Sequence, residues 1–217
     1  MDKKVAVIIF HANVYEIYKK EWVDECIDSI QNQTIDNYAI VDLDYGKPDE
    51  WQYLSIPYYR FQMPNHVFAE NIAIDIAYNA GYDYFFIVNL DDVYYPERIE
   101  KQVAKLNEGY DLVSTNFIRT HEDGRPTILL KMSALDFEKE AKRGHNIICH
   151  SGVMFNRNFW EKCRYFDVNR IPMEDFTMWK KSHSLGLKFH IIDDVLMQHR
   201  VHHSNVSRNK ITPQEII

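Results

Sequence analysis

The chain has 217 residues, with 25 Lys and Arg against 32 Asp and Glu, a formal net charge of −7 and 46% apolar residues. That is the size of one ordinary domain with apolar content for a sizeable core, and its acidic balance argues against a nucleic-acid or anionic-membrane surface, which needs a basic face. No stretch reaches the roughly 20 apolar residues of a membrane span, the polar start lacks a signal-peptide core, and Cys26, Cys149 and Cys163 lie far apart with no CxxC pair, suggesting neither a disulfide framework nor a thiolate zinc site, so a soluble, cytoplasmic-type domain is expected.

Val5–Phe10 is continuously apolar and β-branched, the pattern of a strand buried on both faces. Tyr18–Gln33 carries Trp22, Cys26, Ile27 and Ile30 at helical spacing. Tyr38–Leu43 reads as a second buried strand, running into Asp42, Asp44 and a turn at Gly46-Lys47-Pro48, and a short third strand is expected near Tyr58–Phe61. Val67–Ala80 predicts a helix stopped by Gly81. Tyr84–Leu90 is another doubly buried strand, followed at once by Asp91-Asp92. Pro96 then opens a helix to about Asn107, at the position where its missing N–H costs least, and Asp111–Phe117 is the next strand.

Alternation of strand and helix through short loops predicts right-handed βαβ units and an α/β fold with a mainly parallel twisted sheet flanked by helices. Beyond residue 118 the rhythm changes. Glu122-Asp123-Gly124-Arg125 reads as a hairpin turn, and Ser133–Arg143 as a charged helix. Strands are expected at Ile147–Phe155, Lys188–Ile192 and Val195–Arg200, a helix at Glu174–Leu185, and a loose polar tail after Arg208.

In an open α/β sheet, ligands bind outside the carboxyl ends of the strands. His11, Asp42 with Asp44, and Asp91 with Asp92 follow three different strands and therefore fall on one rim. Two adjacent carboxylates repel each other and lose solvation unless a cation or solvent satisfies them. Such hard oxygen ligands suit Mg²⁺ or Mn²⁺, whose shells are completed by substrate phosphates, although an Asp-rich turn capping the next helix gives the same local pattern. Glu174-Asp175 opens a helix, where the dipole favours acids; facing an electrophile, a carboxylate there can instead take a proton from an attacking hydroxyl. His199, Arg200, His202 and His203 cluster without further zinc-spaced ligands nearby, and suit a diphosphate or the shell of its cation. The chain has 7 Gly and no dinucleotide fingerprint, P-loop, GxSxG elbow or HExxH, so a phosphate-bearing substrate would be held by metal and side chains.

Several segments, in order, resemble the family-2 glycosyltransferases, inverting enzymes of the GT-A, Rossmann-like nucleotide-diphospho-sugar transferase fold. They are the opening strand, Ser29-Ile30-Gln31-Asn32-Gln33-Thr34, the strand into Asp42-Leu43-Asp44, Asn65-His66-Val67-Phe68-Ala69-Glu70-Asn71, and Asn89 through Ile99 as a DXD-type segment. Later come His150-Ser151-Gly152-Val153-Met154-Phe155, Glu174-Asp175 with Trp179, and Gln198-His199-Arg200-Val201-His202. The resemblance covers about residues 4–208 and implies one GT-A domain over 1–217. Its nucleotide-sugar half would lie at about 1–117, a smaller acceptor-binding half at about 118–208, and a tail at 209–217.

By the same resemblance His11, Asp44 and Asn65 hold the nucleoside, Asp91 reaches ribose or sugar, and Asp92, Asp91 or both bind Mn²⁺ or Mg²⁺, with His202 on metal or diphosphate. Asp175 is the general base and Glu174 its orienting neighbour. The implied activity is metal-dependent, inverting transfer from a nucleotide diphosphate sugar, a UDP-sugar first among them, to a hydroxyl of a glycan or other acceptor, as in polysaccharide biosynthesis. A nucleotidyltransferase and a non-catalytic sugar-nucleotide-binding module of the same fold are the alternatives. Asn89 and Glu70 depart from the family pattern, which commonly has an acid and an arginine there.

Overall fold

The structure, a computed structural model, describes residues 3–52, 54–123 and 127–205. In chain order the elements are β1 (Val5–His11), α1 (Val14–Ile17), α2 (Lys20–Gln31), β2 (Tyr38–Asp44), β3 (Tyr59–Arg60), α3 (His66–Asn79), β4 (Tyr84–Val88), β5 (Val93–Tyr94) and α4 (Arg98–Asn107). They continue with β6 (Leu112–His121), β7 (Ile128–Leu130), α5 (Phe137–Lys142), β8 (Met154–Asn156), α6 (Arg157–Cys163), α7 (Glu174–Ser184) and β9 (Phe189–Val201).

The strands form one sheet in the order β3-β2-β1-β4-β8-β6-β9-β5, with β7 on the side of β6. From β3 to β4 every pairing is parallel, as the βαβ pattern requires. β8 then runs antiparallel to both β4 and β6, β9 returns parallel to β6, and β5 is antiparallel to β9. The sheet is thus parallel in its first half and mixed in its second. The antiparallel insertions β5, β7 and β8 have only two or three residues each, too few for a period to register.

Uniformly apolar β1 has a simple cause. Ala6 and Ile8 face one core, with α3, α6 and α7, while Val5, Val7 and Ile9 face a second core under α2 and α4. Both faces are covered, so neither set of alternating positions can be polar. Each fully buried Ile or Phe there contributes about 1.5–3 kcal/mol relative to exposure.

Several expected elements take a different form. The helix expected over Tyr18–Gln33 is broken before Lys20, because Lys19 is extended, and α1 is a separate turn entered through Asn13 at φ 51°. Ile147–Phe155 is not one strand. His150–Gly152 closes a 3₁₀ turn and only β8 follows. Gly152 makes this possible, since a Cβ there would lie 3.2 Å from Ser114 Oγ and 3.3 Å from Cys149 Cβ. Helix α6 has no counterpart among the expected elements; Asn156 caps it through Oδ1, which accepts from Phe159 N at 2.8 Å.

The strands expected at Lys188–Ile192 and Val195–Arg200 are one strand, bulged at Asp193-Asp194 and again at Leu196. There Asn116 Nδ2 donates to Asp193 O at 3.0 Å, and Thr115 Oγ1 to Asp194 O at 2.9 Å. The Glu122–Arg125 turn lies partly, and the tail 209–217 wholly, outside the described residues. No helix among the described residues is long and apolar enough to cross a membrane.

Candidate active site

Because β2, β1 and β4 are parallel and in register, their carboxyl ends share one rim. His11 ends β1 opposite Asp44 of β2, and its Nε2 lies 3.1 Å from Asp42 Oδ1, with both side chains buried. Burial pushes the Asp42 carboxyl up, against the opposing pull of the His11 hydrogen bond. Asp44 accepts from Gly46 N at 3.0 Å and from Gln52 N at 2.9 Å, so its carboxylate organises the loop after β2. Around these loops His11 Nδ1, Asn13 Oδ1 and Trp51 Nε1 are buried without a partner among the described residues. Buried polar atoms are normally bonded, which marks this end of the rim as one that a polar ligand would complete. Asn65 is engaged locally as the N-cap of α3, its Oδ1 accepting from Val67 N at 3.0 Å and Phe68 N at 3.2 Å.

The acids after β4 occupy very different surroundings. Asp92 is fully buried and both its oxygens are engaged. Ser151 Oγ donates to Oδ2, while His199 Nδ1 at 3.1 Å and Arg200 N at 2.9 Å donate to Oδ1. Burial alone would raise its pKa, but the His199 charge and these bonds outweigh it and hold the carboxyl below its ordinary value. Behind it Arg98, wholly buried over the Phe86 and Tyr94 rings, donates to Ser151 O at 2.6 Å, and Gln102 Nε2 donates to Gly152 O at 3.0 Å. Asp92 is the anion of a buried cationic neighbourhood.

Asp91 is pushed the other way, by burial first and then by the charge of Asp92. Its Oδ2 accepts from His202 Nε2 at 3.0 Å and from Asn205 Nδ2 at 3.2 Å. Ser204 N donates to His202 Nδ1, so Nε2 is the protonated nitrogen. Arg200 reaches the Asp91 carbonyl at 3.0 Å and Glu25 at 2.7 Å. A group of three possible ligands, Glu122, His202 and His203, with ligand atoms within 4.8 Å of one another, shares His202 with this pair. There the Lys19 ammonium is already 3.0 Å from Glu122.

Glu174 and Asp175 open α7. His66 Nε2 donates to Glu174 Oε1 at 3.0 Å; burial would raise the Glu174 carboxyl, but this bond, the backbone amide of Glu174 and the His66 and His150 charges together lower it. Glu174 Oε2 is buried without a partner among the described residues. Asp175, half-buried, accepts from Asn146 Nδ2 at 2.8 Å and from Phe176 N at 2.5 Å. Burial raises its pKa to about 6, with the His150 charge opposing. A carboxyl so tuned changes protonation close to neutrality, as a general base must.

The two acidic pairs meet at the turn His150–Gly152. Ser151 bonds to Asp92, and His150 faces Glu70, Asp175 and Glu174. Ser151, His66, Asn146, Asn205 and the pairing of Glu70 with His150 are functional neighbours that local sequence spacing does not reveal. His199 and Arg200 are, as the cluster implied, close to the acids, but they bond protein groups.

The structure of S. aureus TarS 1–349 in complex with UDP-GlcNAc matches this fold with a TM-score of 0.70 at 13% identity. The match covers 96% of this chain and 62% of that one, so this chain spans less than two thirds of the TarS length. The α/β sheet with its acidic rim is the GT-A fold of glycosyltransferases.

Residues 6–164 match the Glycosyl transferase family 2 pattern, and the chain belongs to that family. It is a glycosyltransferase. An uncharacterized glycosyltransferase of Methanocaldococcus jannaschii is 26% identical over 234 residues, covering 100% of this chain and 77% of that protein. The amylovoran biosynthesis glycosyltransferase AmsE of Erwinia amylovora is 24% identical over 208 residues, covering 91% and 77%.

Proposed function

We propose that the chain transfers a sugar from a UDP-sugar to a hydroxyl of a glycan acceptor with inversion, assisted by a divalent cation. The observation that carries this reading is the turn His150–Gly152, which joins the Asp91-Asp92 pair to the Glu174-Asp175 pair. The pair suited to a cation and the pair suited to a proton thus flank one turn. UDP-GlcNAc and UDP in TarS crystals support a UDP-sugar donor, and the AmsE name supports a glycan acceptor.

The donor chemistry fits Mn²⁺ or Mg²⁺. Asp91 Oδ2 and His202 Nε2 are 3.0 Å apart, so these two residues would hold it, with the imidazole proton moved to Nδ1 in place of the bond that Nδ1 accepts from Ser204 N. When bound, the cation neutralises charge developing on the leaving diphosphate. Asp92, already saturated, is assigned to support Asp91 and its neighbours. The partnerless His11, Asn13 and Trp51 atoms suit the polar edge of a nucleoside beside Asp44. Asp175 takes the proton of the acceptor hydroxyl as it attacks the anomeric carbon from the face opposite the diphosphate, and Glu174, fixed by His66, orients that hydroxyl.

The test is release of UDP from a panel of UDP-sugars, with and without Mn²⁺. Cation-dependent UDP release is expected. Pyrophosphate as product would replace the reading with nucleotidyl transfer, and no release from any donor would leave a binding module.

A further inference from the structure

Glu70 lies in α3 with no exposure, a position where a carboxylate is costly unless a full positive charge faces it. Its Oε1 is 2.8 Å from His150 Nε2, and its Oε2 is buried without a partner among the described residues. Rings of Phe10, Phe166 and Trp179 enclose the imidazole at 6.5, 5.6 and 6.3 Å between centroids, fixing it against α3. Its side chain keeps 18% exposure. Burial works to discharge the ring, but the Glu70 carboxylate first, and then the charges of Asp175 and Glu174, overcome it and raise the imidazolium pKa to about 9.

The groups facing Asp175 define what this cation does. Glu174, its neighbour on α7, repels it, and His66 of α3 is committed to Glu174. Asn146 is a neutral donor, and Cys149, pushed up by burial to about 12, stays an uncharged thiol at neutral pH. His150 packs on Trp179, one turn beyond Asp175 on α7, and its own segment reaches the Asp175 carboxylate through Asn146; among these groups it is the cation without a bond to Glu174, and Glu70 stands behind it. Resting on the reading of Asp175 as the base, we propose that Glu70 and His150 act as a positioning pair whose buried ion pair keeps Asp175 in its anionic, proton-accepting form. A plain structural bolt between α3 and the turn would use the same contact with no consequence for Asp175.

The experiment is a carboxyl ¹³C NMR titration of Asp175 in the full chain and in His150→Gln, Glu70→Gln and His150→Arg, beside the pH profile of sugar transfer. Loss of the facing charge is expected to move the Asp175 midpoint up by about one pH unit in both Gln variants, and the ratio of transfer rates at pH 6 and pH 8 to fall about fivefold. His150→Arg should restore the midpoint. An unmoved midpoint in folded Gln variants overturns the proposal. Should those variants fail to fold, ¹⁵N titration of His150 in the unaltered chain decides: an imidazole already neutral at pH 7 overturns it, and one charged at pH 7 supports it. A shifted midpoint in a chain that moves no sugar upholds the electrostatic pairing and removes Asp175 from the role of base.

Discussion

The two acidic pairs invite comparison because each sets a locked carboxylate beside a poised one. In both, an imidazole from a distant element locks one acid: His199 on Asp92 and His66 on Glu174. In both, burial pushes the neighbour up. They differ in what the poised acid faces. Asp91 meets His202, a nitrogen able to share a cation, whereas Asp175, among the described residues, accepts from two neutral donors, Asn146 and the Phe176 amide. Adjacent acids therefore need not act as a unit; the partner of each decides between holding charge and exchanging a proton.

The largest effect that tests this difference is Asp175→Asn. Transfer should fall about 10²–10⁴-fold with donor affinity unchanged, and an active variant would end the assignment of the base. The same substitution carries a signed stability effect. The folded carboxyl titrates at about 6, above its ordinary 3.8, so between those values the native chain holds a proton that the unfolded chain has released. Stability contributed by this group therefore falls as pH rises from about 4 to about 6. Asp175→Asn should raise Tm at pH 7 to 8, and the gain should vanish below about pH 4.

Next in size is the contrast within the first pair. Asp92→Ala leaves His199 and Arg98 facing no anion and should cost about 3–5 kcal/mol in urea unfolding. Asp91→Ala should cost much less stability but abolish Mn²⁺-dependent UDP binding in a calorimetric titration. Reversed results would exchange the two roles. The smallest effect is Asn65→Ala, expected to cost about 1 kcal/mol as a lost helix cap. Unchanged UDP affinity would mark Asn65 as a cap alone, whereas a weakened one would restore the nucleoside contact implied by the family resemblance.

What was legible in the sequence follows a physical rule. β1, β2 and β4 were readable because burial on both faces writes itself into consecutive residues, and acids at their carboxyl ends inherit a common rim from parallel pairing. Glu174-Asp175 was readable as a helix start. The partners of these acids were not. His199 lies 107 positions from Asp92 and His66 lies 108 from Glu174, and no local period records such a meeting. The short strands escaped for lack of length, and the turn His150–Gly152 because a run of apolar residues on either side imitates a strand. Glu70 stood out only as a departure from the family pattern, and its meaning needed His150 beside it in space.

The bulges in β9 govern parity. Thr115 faces Ile192, but Phe117, two residues on, faces Met197, five residues on, so the long strand absorbs an odd number of extra residues. Side chains of a strand alternate between faces, hence an odd insertion exchanges up for down in everything downstream. Met197, His199 and Val201 owe their side of the sheet to those extra residues. Excising a single one would turn His199 away from Asp92 while leaving the composition of the strand almost intact.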